Sequence, residues 1–119
     1  MAAAASYGGG CHCGAVRYRV KTDFGRVVTC NCSMCGRSGS LLTFVPVADF
    51  ELVSGEEALS DYQFAKRRIH HLFCRTCGIK SFARGSKPDG TVMIAVNVHC
   101  LDGVEPDALT VTRLDGRSL

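Results

Sequence analysis

Cysteine supplies the most distinctive chemistry in this chain of 119 residues, which contains eight cysteines. Three of them, Cys30, Cys32 and Cys35, lie in the short sequence CNCSMC. One compact loop can direct three thiolates at a single metal ion. Zinc takes four donors, so the fourth position is left to a distant residue or an exogenous ligand, and an open position is typical of catalytic zinc. We interpret the triplet as a zinc site that binds a thiolate and keeps it nucleophilic at neutral pH.

Four more cysteines form two pairs that are far apart in sequence, CHC at 11–13 and CRTC at 74–77, each followed directly by glycine. Glycine permits a tight turn in which backbone amides point at thiolate sulfur. Two such loops brought together form a closed structural zinc site, which stabilises a fold with a modest core. This pattern predicts a structural zinc held by Cys11, Cys13, Cys74 and Cys77.

The sequence NVHCLD leaves one alternative open for the triplet. Either Cys100 or His99 could complete the tetrahedron, and the triplet site would then be structural. The other interpretation of Cys100 is a small buried residue. His70 and His71 are adjacent on a predicted strand, so at most one of them faces a site, and we interpret both as structural or surface residues.

The composition narrows the class of protein. A hydrophobic content of 46% is that of a globular chain, and the net charge of +3 suits a site for small anions better than a nucleic-acid surface. We interpret the one tight basic run, KRR at 66–68, as a solvated edge or turn. No segment approaches the ~20 apolar residues that cross a bilayer. Because no signal peptide is evident and the cysteines are clustered, we expect a cytoplasmic protein.

Alternating and apolar runs predict a mainly β protein with many short strands and little helix. We expect a flexible segment at 1–9, then a single domain at 10–119. One helical turn is predicted with Ser54 as its N-cap and Glu57 three residues later, and another short turn after Cys32. The predicted strands lie at 15–20, 41–47 (with Pro46 at an edge or strand end), 61–64, 69–73, 79–84, 91–98 and 108–114.

The cysteine motifs resemble those of the glutathione-dependent formaldehyde-activating enzyme (GFA) family, which includes centromere protein V-like proteins. The matching stretches are GGCHCGAVRY, CNCSMCGRSG, HHLFCRTCGIKSFARG and VNVHCLDG, in that order. The resemblance implies a β-tent fold of small antiparallel sheets around a structural zinc. It also implies two zinc ions per chain, the catalytic one held by Cys30, Cys32 and Cys35.

The family's reaction adds glutathione to formaldehyde and forms S-(hydroxymethyl)glutathione, a carbon–sulfur lyase activity in the reverse direction. The implied partners are therefore a small-molecule thiol and an aldehyde, rather than a membrane or a nucleic acid. Glutathione has two carboxylates, so we expect cationic anchors, with Arg37 and Arg84 as candidates. Two other functions stay open: a non-catalytic zinc-binding module for partner interaction, and a thiol/zinc redox sensor.

Overall fold

The computed structural model describes residues 4–63 and 69–115. Within those ranges the chain forms ten short strands, one α-helix and four 3₁₀ turns. The strands are β1 (Ala5–Gly10), β2 (Arg17–Thr22), β3 (Val27–Cys30), β4 (Leu42–Pro46), β5 (Phe50–Ser54), β6 (Leu59–Tyr62), β7 (Ile69–Cys74), β8 (Phe82–Ser86), β9 (Val92–Asn97) and β10 (Val111–Leu114). The helix is α1 (Ser33–Ser38), and the 3₁₀ turns are Val47–Asp49, Glu56–Ala58, Val98–Cys100 and Pro106–Ala108. The prediction of a mainly β protein is confirmed.

The strands form two sheets, one of three strands in the order β1-β2-β5 and one of seven in the order β10-β3-β4-β9-β8-β7-β6. Every pairing is antiparallel except β10 with β3. Consequently β3, β9 and β7 run in one direction and β8 runs in the other. Cys30 ends β3, Cys74 ends β7 and Cys100 follows β9, so the topology brings three cysteine-bearing segments to one edge of the larger sheet.

The core lies between the two sheets. Alternation in β2 buries Tyr18 and Val20, as a half-buried strand requires. The Tyr18 ring packs against Phe50 and Phe82 with centroids 5.1 Å and 5.6 Å away, and its hydroxyl donates a hydrogen bond to the Ser81 carbonyl oxygen at 3.0 Å. These contacts fix the start of β8 beside the cysteine-bearing edge.

The other face of the larger sheet, which we call the outer face, carries a row of directly paired side chains. Successive cross-strand pairs join Phe44 to Ala95, Ala95 to Ala83, Ala83 to His71 and His71 to Tyr62. Directly paired residues point to the same side of a sheet, so these five side chains share the outer face.

The N-terminal prediction is wrong for residues 5–9, which belong to β1 and pair with β2 from Ala5↔Thr22 to Gly10↔Arg17. Glycine is unfavourable within strands unless another backbone approaches closely, so the GGG run suggested flexibility. Here the approach is close, because a Cβ on Gly10 would lie 2.1 Å from the Val16 carbonyl oxygen.

The predicted capping box is also wrong. Ser54 ends β5, and the turn at Glu56–Ala58 begins after Gly55 without a side-chain cap. Gly55 has φ +92°, and a Cβ there would lie 2.2 Å from the Ala15 carbonyl oxygen, so close packing fixes this turn. The short helix after Cys32 is confirmed.

All seven predicted strands correspond to observed ones with shifted ends, and Pro46 is the last residue of β4. The sequence did not predict the other three strands, β1, β3 and β5. The KRR run at 66–68 and the end of the strand predicted at 61–64 lie outside the described residues.

Candidate metal centres and substrate site

Two groups of cysteines converge in the structure. The sulfurs of Cys11, Cys13, Cys74 and Cys77 all lie within 4.8 Å of one another. The Cys13 sulfur is 3.6 Å from that of Cys11 and 3.7 Å from that of Cys74. A tetrahedron with Zn–S bonds of about 2.3 Å has sulfur–sulfur edges of about 3.8 Å. This group therefore fits a four-thiolate metal site without rearrangement.

The glycine after each pair allows the turn that presents the sulfurs. Gly14 has φ +84° and Gly78 has φ +81°, a region that other residues rarely adopt. In the first loop the Val16 amide donates a hydrogen bond to the Cys11 sulfur at 3.3 Å. In the second, the Gly78 amide donates to the Cys74 carbonyl oxygen at 2.7 Å. Both loops thus adopt the tight turns expected from the sequence.

Backbone amides also favour the thiolate form in the second loop. The amide of Ile79, followed by that of Cys13, lowers the pKa of Cys77 to about 6. The Cys77 amide is the main cause of a lowered pKa at Cys74. Since metals bind thiolates rather than thiols, this loop is prepared for a cation at neutral pH.

The sulfurs of Cys30, Cys32 and Cys35 form the second group, also within 4.8 Å of one another. Cys30 is the last residue of β3, Cys32 is the N-cap of α1, and Cys35 lies in the first turn of the helix. The Cys32 sulfur accepts a hydrogen bond from the Cys35 amide at 3.3 Å, which folds the loop back on itself. The helix closes at Gly39, whose amide donates to the Cys35 carbonyl oxygen at 3.0 Å.

No fourth protein ligand joins the triplet. Among the described residues, no other Cys, His, Asp or Glu belongs to that group, and residues 1–3, 64–68 and 116–119 contain none of these four types. His99 and Cys100 are therefore not brought to the triplet. Burial raises the pKa of Cys100 to about 11, and the nearby thiols of Cys11 and Cys77 raise it further. Cys100 therefore lies near the four-cysteine group.

A cavity of about 250 Å³ lies beside α1 on the outer face, lined among the described residues by Ser33, Met34, Arg37 and Tyr62. The Arg37 guanidinium donates a hydrogen bond to the Ser33 carbonyl oxygen at 3.3 Å and is otherwise exposed. We call this space the triplet cavity. It places a cation next to the three-cysteine loop.

Arg84 does not reach the triplet cavity. It lines a separate, mainly apolar cavity of about 580 Å³ together with Phe82 and Ile94, whose side chains belong to the core. Arg84 is two residues from Phe82 on the same strand, so it points to the inner side of the sheet. The structure therefore separates the two arginines that sequence analysis grouped together.

Lys80 is a residue that sequence analysis missed. It lies just before β8 at the cysteine-bearing edge, is half-buried, and interacts electrostatically with Cys35 and Cys32. Burial lowers its pKa, and the two thiolates oppose that shift. Its carbonyl oxygen accepts a hydrogen bond from Asn97 Nδ2 at 3.2 Å. The only sequence signal was a lysine between CRTCG and the buried residues that open β8.

The two adjacent histidines point to opposite sides, as alternation predicts. His70 lies on the side opposite to His71, and its Nδ1 atom is 2.7 Å from Asp61 Oδ2, a hydrogen-bond distance. His71 is only 6% exposed and lies on the outer face beside Tyr62, with ring centroids 6.5 Å apart. Burial lowers the pKa of His71 to about 4, so the ring is neutral at pH 7.

These observations define a mainly β protein with a four-cysteine group and a three-cysteine group, each able to hold a metal ion. The chain belongs to the GFA family, described as glutathione-dependent formaldehyde-activating enzyme, whose model matches residues 6–112. The family resemblance drawn from the cysteine motifs is thereby confirmed.

A solved structure supports the same fold. The crystal structure of a Rhodobacter sphaeroides protein, a structural genomics target, is 37% identical over 90% of this chain and 99% of that one, with a TM-score of 0.80. Within the described residues, no helix is both long and apolar enough to span a membrane.

Proposed function

We propose that this protein catalyses the addition of glutathione, or a similar thiol, to formaldehyde or a related small aldehyde. The product would be S-(hydroxymethyl)glutathione, and the reverse reaction is a carbon–sulfur lyase activity. Family membership supports the reaction class. The observation that carries the proposal is the triplet itself, three sulfurs within 4.8 Å with no fourth protein ligand, next to a cavity that contains Arg37. We assign the reaction to the cytoplasm, where thiols stay reduced.

The chemistry needs two things from the site. The thiol loses its proton, its sulfur forms a bond to the carbonyl carbon, and the π electron pair moves to the carbonyl oxygen, which then takes up one proton. A thiolate must therefore be stable at neutral pH, although a free thiol has a pKa of about 8.5. A donor must also lie near the developing alkoxide.

A zinc ion fits the triplet because three clustered thiolates are soft donors that zinc prefers, and when bound it supplies a fourth coordination position and lowers the pKa of a thiol held there. The second zinc belongs with the four-cysteine group and has a structural role. The proposal therefore requires two zinc ions per chain.

Lys80 and Arg37 provide the cationic groups. The Lys80 ammonium is half-buried near Cys32 and Cys35, so it can donate a hydrogen bond to the aldehyde oxygen as negative charge develops there. Arg37 lines the triplet cavity and can bind a glutathione carboxylate with paired hydrogen bonds. Arg84 is left out of the proposal because it lines a different cavity.

The test combines a zinc count with a glutathione titration, on wild type and on Cys32→Ser, with Cys100→Ser as the matched control. We expect two zinc ions for wild type and for the control, and one for Cys32→Ser. Glutathione should bind to the first two proteins and not to the third. Since the adduct also forms without a catalyst, activity must be measured as the part of the rate that is proportional to protein concentration.

The same experiment separates the alternatives. If Cys32→Ser binds glutathione as well as wild type does, the thiol-binding role of the triplet is wrong. A non-catalytic zinc module predicts two tightly held zinc ions and no glutathione binding. A redox sensor predicts release of the triplet zinc by mild oxidant and no protein-dependent adduct formation.

A further inference from the structure

A third cavity, of about 430 Å³, lies on the outer face of the larger sheet. Its apolar lining includes Phe44, Ile69, Met93 and Ala95. Phe44 and Ile69 are 40% and 49% exposed, which is unusual for large apolar side chains that lie close together. We call this cavity the outer groove. Its volume is typical of small-molecule sites.

The residue sizes across four strands produce its shape. The central strands contribute Gly85 from β8 and Ala95 from β9, two small residues that lower the floor on either side of Met93, which is paired with Gly85. The flanking strands contribute larger side chains, since Phe44 of β4 pairs with Ala95 and Ile69 of β7 pairs with Gly85. The walls are three strand spacings apart, about 14 Å, which leaves room for an unbranched apolar chain between them.

Two cations line the same groove. Arg26 precedes β3 and Lys87 follows β8, where the Lys87 amide donates a hydrogen bond to the Thr91 carbonyl oxygen at 2.8 Å. Both side chains are exposed, and neither forms an ion pair within the part of the chain that the structure describes. Among the described residues that line the groove there is no Asp or Glu. Asp89, two residues after Lys87 and outside the lining, interacts electrostatically with Lys87. The groove therefore combines an apolar floor with two exposed cations.

The outer groove lies at the opposite end of the sheet from both cysteine groups. Arg26 and Cys30 stand at the two ends of β3, four residues apart in an extended chain, which corresponds to about 13 Å. A ligand in the groove therefore occupies a site distinct from the triplet.

We propose that the outer groove binds a small molecule with an unbranched apolar body and a carboxylate head group. The apolar body would lie over Ala95 and Gly85, and the carboxylate would pair with Arg26 and Lys87. Charge complementarity favours this occupant over a second copy of the chain. A two-fold contact would press the same cationic groove against itself, with no acidic residue in the lining to pair with it.

The probe is sodium decanoate at concentrations below micelle formation, titrated by isothermal titration calorimetry into the zinc-loaded full chain. Decyltrimethylammonium, with the same apolar body and the opposite charge, is the control ligand. Decanoate should bind at one site per chain, and at least tenfold more tightly than the cation, because only the anion is attracted by the two side chains.

Three variants locate the site. The double change Arg26→Gln with Lys87→Gln should weaken decanoate binding by about tenfold, as expected for two exposed ion pairs. Lys21→Gln with Arg113→Gln, which removes the same charge from exposed strand positions elsewhere, should bind as wild type does. Ala95→Leu should weaken binding by filling the floor without altering charge.

Equal binding of the two probes, or wild-type affinity in the Arg26/Lys87 variant, would refute the proposal. A dimer in sedimentation experiments that decanoate does not dissociate would also refute it, because a second copy of the chain would then be the occupant of the groove. Binding should persist in Cys32→Ser, so a failure of the proposed enzymatic function leaves this result unchanged.

Discussion

The burial of His71 makes the fold sensitive to acid in a way that can be calculated. Its pKa falls from 6.5 to about 4, chiefly because burial disfavours the charged ring, with a further contribution from the nearby Lys80 ammonium and a smaller one from His70. The Asp61 carboxylate acts in the opposite direction. Because the unfolded chain takes up this proton first, the stabilisation is complete above pH 6.5 and is lost as the pH falls toward 4.

The shift corresponds to about 3 kcal/mol of unfolding free energy in total, of which about 2 kcal/mol is lost by pH 5. The assay is guanidinium unfolding followed by circular dichroism, at several pH values between 7.5 and 5, on zinc-loaded wild type and His71→Gln. The difference between the two proteins isolates the histidine, because acid weakens the cysteine–zinc bonds equally in both.

The matched control is His70→Gln, which changes a half-buried neighbour that pairs with Asp61. Its unfolding free energy should stay within about 1 kcal/mol of wild type at every pH. Wild type should lose about 2 kcal/mol more than His71→Gln between pH 7.5 and 5. Parallel curves for wild type and His71→Gln would show that the buried ring is protonated at little cost, and would refute the reasoning.

Three further predictions concern the site and its supports. Lys80→Met should lower kcat/KM by about 100-fold and leave the zinc content unchanged, because a donor to the developing alkoxide is lost, and Lys80→Arg should recover part of the rate. Equal kinetics in Lys80→Met and wild type would show that Lys80 does not have this role. Cys74→Ser should lose one zinc per chain and unfold at a much lower denaturant concentration, whereas Cys100→Ser should keep both ions. Wild-type stability of Cys74→Ser would contradict a structural metal at this site. Gly10→Ala should destabilise the fold by about 2 kcal/mol in thermal unfolding, because the added Cβ would lie 2.1 Å from the Val16 carbonyl oxygen. An unchanged melting temperature would show that β1 tolerates a side chain at this position.

The metal groups could be predicted because their geometry is largely local. In CNCSMC the three sulfurs are close in sequence, and one short turn capped by Cys32 brings them together. The pairs at 11–13 and 74–77 are far apart in sequence, and their convergence could be predicted only because a closed four-thiolate zinc site needs two such pairs.

Features that depend on non-local pairing were beyond the reach of the sequence. Lys80 interacts with Cys32 and Cys35 only because the strand order places the start of β8 at the same end of the sheet as the end of β3, with β4 and β9 between them. Arg37 and Arg84 looked equivalent as cations near motifs, yet one lies on α1 in the triplet cavity and the other on the inner side of the sheet. Strand β1 was missed because glycines weaken any strand signal. Close packing explains two of these glycines, since a Cβ on Gly10 would meet Val16 and a Cβ on Gly9 would meet Cys100 and Tyr18.

The central claim is that the triplet holds a metal ion with one position open to an exogenous thiol. The most direct measurement replaces zinc with cobalt(II) at both sites and follows the visible absorption spectrum during titration with glutathione and, separately, with S-methylglutathione, which has no free thiol. We predict that glutathione changes the cobalt spectrum with a stoichiometry of one per chain, that S-methylglutathione does not, and that Cys32→Ser abolishes the change. A spectrum that glutathione leaves unaltered in a fully loaded protein would contradict the claim.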